Sequence, residues 1–192
     1  MESHQKKAER LKAYLVFVDE SGFLLVPTVR RTWAPRGQTP IVRHRYRHEK
    51  ISAISAVTLS PGRRRCGLYV HFHYTNITHV EVGLFLRLLL RHLRGHIVVL
   101  MDNGSIHGGQ AVHHLLARHP RLHLEWFSSY APELNPDELV WSYLKGQLAN
   151  GGPNTIDELM NDLSREARRI RRMPAILRAF ILGSELPSPF KA

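Results

Sequence analysis

The 192-residue chain is 43% hydrophobic and 22% charged, which fits one domain with a substantial buried core, or a domain with a modest extension. Its 27 Lys and Arg against 16 Asp and Glu give a formal charge of +11, and 21 of those bases are Arg, which pairs bidentately with phosphate; a polyanion partner is expected, with a solvated basic surface as the plain alternative. The single cysteine, Cys66, excludes an intramolecular disulfide, residues 1–12 hold no apolar signal region, and Arg87 and Arg91 break the longest apolar stretch, so a soluble cytoplasmic protein without a membrane span is expected.

In chain order, residues 1–13 read as a frayed lead-in, and Tyr14 to Asp19 as a short buried strand. Phe23 to Val29 and Thr39 to Val42, separated by Pro27, Pro35, Gly37 and Pro40, suggest a hairpin with a Pro/Gly-bounded loop. Ile51 to Leu59 is a further strand, stopped by Ser60-Pro61-Gly62, and Cys66 to Tyr74 alternates as a half-buried strand should. Thr78 to Leu93 has helical spacing with Thr78 and Glu81 as a capping box, and a strand ending at Asp102 follows. Then come a helix over Gly108 to Arg118, a strand over Leu122 to Phe127, and a helix from Asn135 to Leu148 with Asn at the cap, Pro first and Glu third. Residues Thr155 to Leu182 are helical, opened by a second capping box of Thr155 and Glu158, and split by Pro174. A meander followed by alternating strands and helices describes an α/β fold with a mixed sheet.

Asp19 ends the apolar run 15–18, Asp102 ends the run 97–101, and Glu138 lies just inside the helix opened by Asn135-Pro136. Two carboxylates at the ends of buried strands and a third on a later helix can converge on hard divalent cations, and in a basic chain the fitting substrate is a phosphodiester. Each acid alone has a local explanation, since an Asp after a strand caps a turn and Glu138 suits a capping box. Their joint order in one chain is what points to a single site.

The segments Val18-Asp19-Glu20-Ser21-Gly22-Phe23, Met101-Asp102-Asn103-Gly104-Ser105-Ile106-His107 and Tyr130 to Lys145, with Asn135-Pro136-Asp137-Glu138 at its centre, closely resemble the three catalytic motifs of DDE transposases, in the branch of bacterial insertion-sequence relatives of the mariner superfamily. The resemblance runs from Tyr14 to at least Leu148. It implies a ribonuclease H-like fold with a five-stranded mixed sheet, and an enzyme that cleaves DNA and transfers strands. Asp19 on the central strand, Asp102 on the adjacent fourth strand and Glu138 match the family's metal-binding acids. Asn103 and His107 match polar residues that either shape the site or simply cap the loop.

Two departures stand out. The family often has an apolar residue before its third acid, where this chain has Asp137; helix neighbours diverge by about 100°, so only one of the pair faces the site, and Glu138 is the expected ligand, with Asp137 favourable at the helix N-terminus. Full-length members also carry an N-terminal helix-turn-helix region that reads transposon ends. The chain has no room for it and resembles the catalytic half alone, as a split-frame product or a truncated copy.

The resemblance implies two Mg²⁺ ions, replaceable by Mn²⁺, with Asp19 bridging both and Asp102 and Glu138 completing one shell each. The implied partners are transposon-end and target DNA, a second copy in an active homodimer, and either a separate helix-turn-helix subunit or an upstream-frame product, at the nucleoid. Arg30, Arg31, Arg36, Arg43 and Arg45 are the expected DNA-tracking residues, and Arg168, Arg169, Arg171 and Arg172 either track DNA or form a wet helix face. Arg63-Arg64-Arg65 reads as a solvated loop. Zinc is disfavoured, because the 13 His come without a Cys pair or HExxH, and the glycines of residues 103–109 lack phosphate-loop spacing. The competing functions are a ribonuclease H-like nuclease or resolvase without strand transfer, and a non-catalytic DNA-binding remnant that inhibits a full-length transposase.

Overall fold

The computed structural model describes residues 4–26, 29–39, 41, 49–128, 131–151, 153–187 and 189–190. Its centre is a sheet of β1 (Tyr14–Leu24), β2 (Lys50–Leu59), β3 (Cys66–His73), β4 (Ile97–Met101) and β5 (Leu122–Trp126), ordered β3-β2-β1-β4-β5. The first three strands pair antiparallel, and β4 and β5 add in parallel beside β1. The parallel half needs crossover helices, and these are α2 (His79–His92) and α3 (Gln110–Arg118).

Strand alternation sorts the core into two layers. Leu15, Phe17 and Phe23 of β1, with Val98 and Leu100 of β4, pack beneath α4 (Pro136–Gln147), α5 (Ile156–Arg171) and α6 (Pro174–Gly183). Val16 and Val18, with Val99 and Met101, pack under α2 and α3. The expected capping box of α2 forms in full, with Thr78 accepting from the helix backbone while Glu81 accepts from the Thr78 amide at 2.8 Å. In α5 the counterpart is shifted: Thr155 accepts from the Glu158 amide, but Glu158 reaches one residue further, to the Asn154 amide at 2.6 Å.

Two expectations are corrected. Residues 4–10 form a helix, α1 (His4–Arg10), where a frayed lead-in was expected. It lacks an apolar stripe, but Ala8 is buried in the core and Lys7 and His4 pair with Glu125 of β5, so tertiary contacts hold what local pattern does not. The second correction is the hairpin after Phe23. Phe23 and Leu24 continue β1 and pair with Ile51 and Lys50. Among the described residues 29–39 and 41 there is no strand, because the edge is already taken by β2 and Pro35 cannot complete a ladder. The expected strand residues Pro27, Thr28, Pro40 and Val42 lie outside the described residues.

Candidate active site

The continuous β1–β4 register sets the first two acids side by side. Phe17 pairs with Leu100 in parallel, the last pair of that ladder, and Asp19 and Asp102 each follow two residues further on at the same end of the sheet. Adjacent strands lie about 4.8 Å apart. Both acids share the parity of the layer that carries α4, since Leu15 and Phe17, and Val98 and Leu100, point there. Glu138 enters that same layer from above, on the first turn of α4.

Three contacts dock the start of α4. Asn135 caps the helix by accepting from the Asp137 amide at 3.1 Å, while its side-chain amide donates to the Val18 carbonyl at 3.2 Å. Trp141 Nε1 donates to Asp19 Oδ2 at 2.9 Å, and Phe23 meets the Trp141 ring edge-on at 5.9 Å between centroids. Asp137 is the third anchor. It is fully buried, accepting from Ser55 Oγ at 2.6 Å and from the Val57 amide at 3.2 Å on β2, and Ser55 is the residue that pairs with Asp19. Glu138, one position on, is exposed. Asp137 therefore ties the helix to the sheet and leaves Glu138 free to face solvent beside Asp19.

Electrostatics follow from this crowding. Burial, then the charges of Glu138 and Glu20, push the Asp19 carboxyl up to about 7, against the Trp141 hydrogen bond that favours its ionised form. Burial also raises the Asp137 carboxyl well above the ordinary range, with the Asp19 charge adding to the effect and the Ser55 and Val57 hydrogen bonds opposing it.

Asp102 is turned aside. Its Oδ1 accepts from the Gly104 amide at 2.8 Å and lies 2.8 Å from His107 Nδ1, in a loop so tight that a Cβ on Gly104 would stand 2.9 Å from that oxygen. His107 is buried and bridges the sheet's end, its Nε2 3.0 Å from Glu20 Oε2. Burial works against the imidazolium, but Glu20 and Asp102 outweigh it and hold the ring's pKa up at about 9. Asn103 is exposed.

Among the described residues no three Asp, Glu, His or Cys side chains stand close enough to form a finished metal cage. The donor set nonetheless fits a hard divalent cation: it is all oxygen, and the charges of Glu138 and Glu20, which add to burial in raising the Asp19 carboxyl, are ones a cation would neutralise. His71 and His73 on β3 have ring centroids 6.3 Å apart, and the His71 ring packs edge-on against Phe85 at 5.5 Å.

Arg30, Arg31 and Arg36 are all exposed, and Asn150 pins their segment by accepting from the Arg30 amide and donating to its carbonyl, both at 2.9 Å. Arg43 and Arg45 lie outside the described residues. Of the late basic cluster, Arg171 donates to the Leu68 carbonyl and Arg169 pairs with Glu166. Sequence reasoning missed Glu20, Trp141 and the sheet contact of Asp137. Trp141 was within reach, since it sits three residues after Glu138 on one helix face.

Solved structures of Mos1 transposase share the fold. The chain aligns over 94% of its length with 59% of a Mos1 chain in a paired-end complex with the left transposon end, at 17% identity and a TM-score of 0.58. A Mos1 paired-end complex with Mn aligns over 95% of this chain and 60% of that one, at 16% identity and a TM-score of 0.57. The isolated Mos1 mariner catalytic domain aligns over 95% of this chain and 90% of its own length, at 13% identity and a TM-score of 0.53. The chain thus spans about three-fifths of the length of the first two relatives. No curated protein matches it by sequence. The family model described as DDE superfamily endonuclease matches residues 14–169, and the chain belongs to that family.

Proposed function

We propose that the chain is the catalytic domain of a transposase, which cuts DNA at transposon ends and joins the freed 3′ end to target DNA, with Asp19, Asp102 and Glu138 as its metal-binding catalytic acids. The observation that carries this reading is the Asp19–Glu138 juxtaposition beside the end of β4, in a chain of the DDE endonuclease family. Divalent ions held by these carboxylates would supply an activated attacking oxygen and stabilise the leaving 3′ oxygen.

The chain's own groups do the positioning. Trp141 fixes one Asp19 oxygen and leaves the other for a ligand. Asn135 and Asp137 lock the first turn of α4 against β1 and β2, which sets the height of Glu138 above the sheet. The Glu20–His107 contact braces the loop that carries Asp102 from the opposite sheet face. Cleavage consumes one water per phosphodiester and leaves a 3′ hydroxyl and a 5′ phosphate. Joining exchanges one phosphodiester for another, so no covalent enzyme intermediate is needed.

The metal is read as Mg²⁺, with Mn²⁺ as a substitute; Mos1 complexes with each support the choice. Arg30, Arg31 and Arg36 form an exposed basic track suited to backbone phosphates, which Arg43 and Arg45 would extend. A second copy of the chain and a separate helix-turn-helix module for end recognition complete the reading, which places the protein at the nucleoid. Among the described residues no helix is long and apolar enough to cross a membrane. The test is a nicking and strand-transfer assay with labelled DNA in Mg²⁺ or Mn²⁺, with an end-recognition module supplied in trans. Asp19→Asn, Asp102→Asn and Glu138→Gln should each abolish both steps and keep DNA binding, because they remove charge and keep size. Retention of cutting and joining by all three would overturn the assignment, and cutting without joining would favour a nuclease.

A further inference from the structure

Arg63 does not behave as a solvated loop residue. It is 6% exposed, and both terminal guanidinium nitrogens are buried without a hydrogen-bond partner. Its backbone is also in the left-handed region, at φ 58°, which a non-glycine side chain adopts at a cost. A buried cation without a hydrogen-bond partner on a strained backbone costs stability, and the charge of Glu9 offsets that cost only in part. Arg63 lines a cavity of about 800 Å³ together with Lys12, Arg64 and Arg178, and the Arg178 guanidinium lies 3.8 Å over the Phe190 ring at its wall. Glu9 is the carboxylate in the lining; its charge reaches Arg63, but it accepts no hydrogen bond from either terminal nitrogen.

The cavity sits at the β2–β3 turn, the end of the sheet away from the acids. Leu15 pairs with Leu59 just before the turn, whereas Asp19 pairs with Ser55. That is four residues, or about 13 Å, further along the strand at roughly 3.3 Å per residue.

We propose that this cavity is an oxyanion site that takes a phosphoryl group, toward which the two buried, unpartnered guanidinium nitrogens of Arg63 turn as a fork while Arg64, Arg178 and Lys12 supply the surrounding charge. A guanidinium with both ends unmatched fits a phosphate bidentately, and the volume is that of a small-ligand pocket. The group could belong to a nucleic-acid backbone or to a free phosphate, and the site does not depend on the carboxylates that carry the endonuclease reading.

The test is calorimetric titration of the full chain with pyrophosphate, in EDTA to keep divalent ions out and at constant ionic strength, with chloride as control. Wild type should bind, Arg63→Met should bind at least about tenfold more weakly, and Arg64→Ala should be weakened several-fold. Without phosphate, Arg63→Met should melt no lower than wild type, because it deletes an unpaired buried charge. Absence of pyrophosphate binding beyond the chloride control, equal binding by Arg63→Met, or a clear fall in its melting temperature would each overturn the site, and so would undiminished binding by Arg64→Ala, which leaves Arg63 in place. Duplex DNA separates the two sources. A backbone phosphate predicts that Arg63→Met lowers the slope of log affinity against log salt by about one and that pyrophosphate competes with DNA. A free phosphate predicts an unchanged slope alongside the lost pyrophosphate binding.

Discussion

Asp137 and Glu138 are neighbours on α4, and one helix step of about 100° gives them different surroundings. Asp137 is buried against Ser55 and Val57, and Glu138 is exposed beside Asp19. A carboxyl whose pKa is raised on folding binds its proton more tightly in the folded state than in the unfolded one. Between its ordinary value near 3.8 and the raised value, stability therefore falls as pH rises. For Asp19 that window runs from 3.8 to about 7, and Asp137 adds to the same slope from 3.8 upward. Urea unfolding without divalent ions should accordingly show lower stability at pH 8 than at pH 5. Asp137→Asn should flatten the slope and retain most strand cleavage, since the amide can still accept from Val57 and bond Ser55. Asp137→Ala should cost about 1–3 kcal/mol, because it strips the acceptor from both buried donors. A dead Asp137→Asn beside an active Glu138→Gln would exchange the roles assigned to the two acids.

At the scale of elements, the site depends on how α4 docks on β1. Asn135→Ala removes a cap and the tie to Val18, and should cost about 1–2 kcal/mol by urea unfolding. Trp141→Phe keeps the ring against Phe23 but loses the donor to Asp19. It should raise the Asp19 carboxyl further above 7, which carbon-detected NMR titration would read; an unchanged or lower midpoint would mean the hydrogen bond does not hold the ionised form. Much of this architecture was legible in sequence. The runs before Asp19 and Asp102 are apolar enough to be buried strands, and Asn135-Pro136 is a strong helix start. Phe23 belongs to β1 and not to a separate hairpin, because Ser21 and Gly22 carry the strand on in register opposite Ala53 and Ser52, a pairing that no local pattern reports. Helix α1 was illegible because its support comes from β5, far along the chain. The buried carboxylate of Asp137 was read as a helix-end charge, since no local pattern reports a side-chain contact across 82 residues.

For the whole molecule, a formal charge of +11 coexists with a carboxylate cluster at one end of the sheet. Net charge was legible in composition, but its distribution was not: Arg63 looked solvated and is buried, while Arg30, Arg31 and Arg36 are exposed as expected. Binding to random duplex DNA should weaken steeply with salt, and replacing Arg30, Arg31 and Arg36 together by Ala should lower the log–log slope by up to about three. A slope unchanged by the triple variant would remove that segment from the DNA track. The convergence of Asp19, Asp102 and Glu138 on divalent ions is open to direct observation in a crystal grown with Mn²⁺ near pH 8, through its anomalous difference map. Manganese should appear against Asp19 and Glu138, with the Asp102 carboxylate swung off the Gly104 amide to join them. Manganese bound only elsewhere, or Asp102 still held by Gly104 and His107 beside an occupied site, would contradict the three-carboxylate centre.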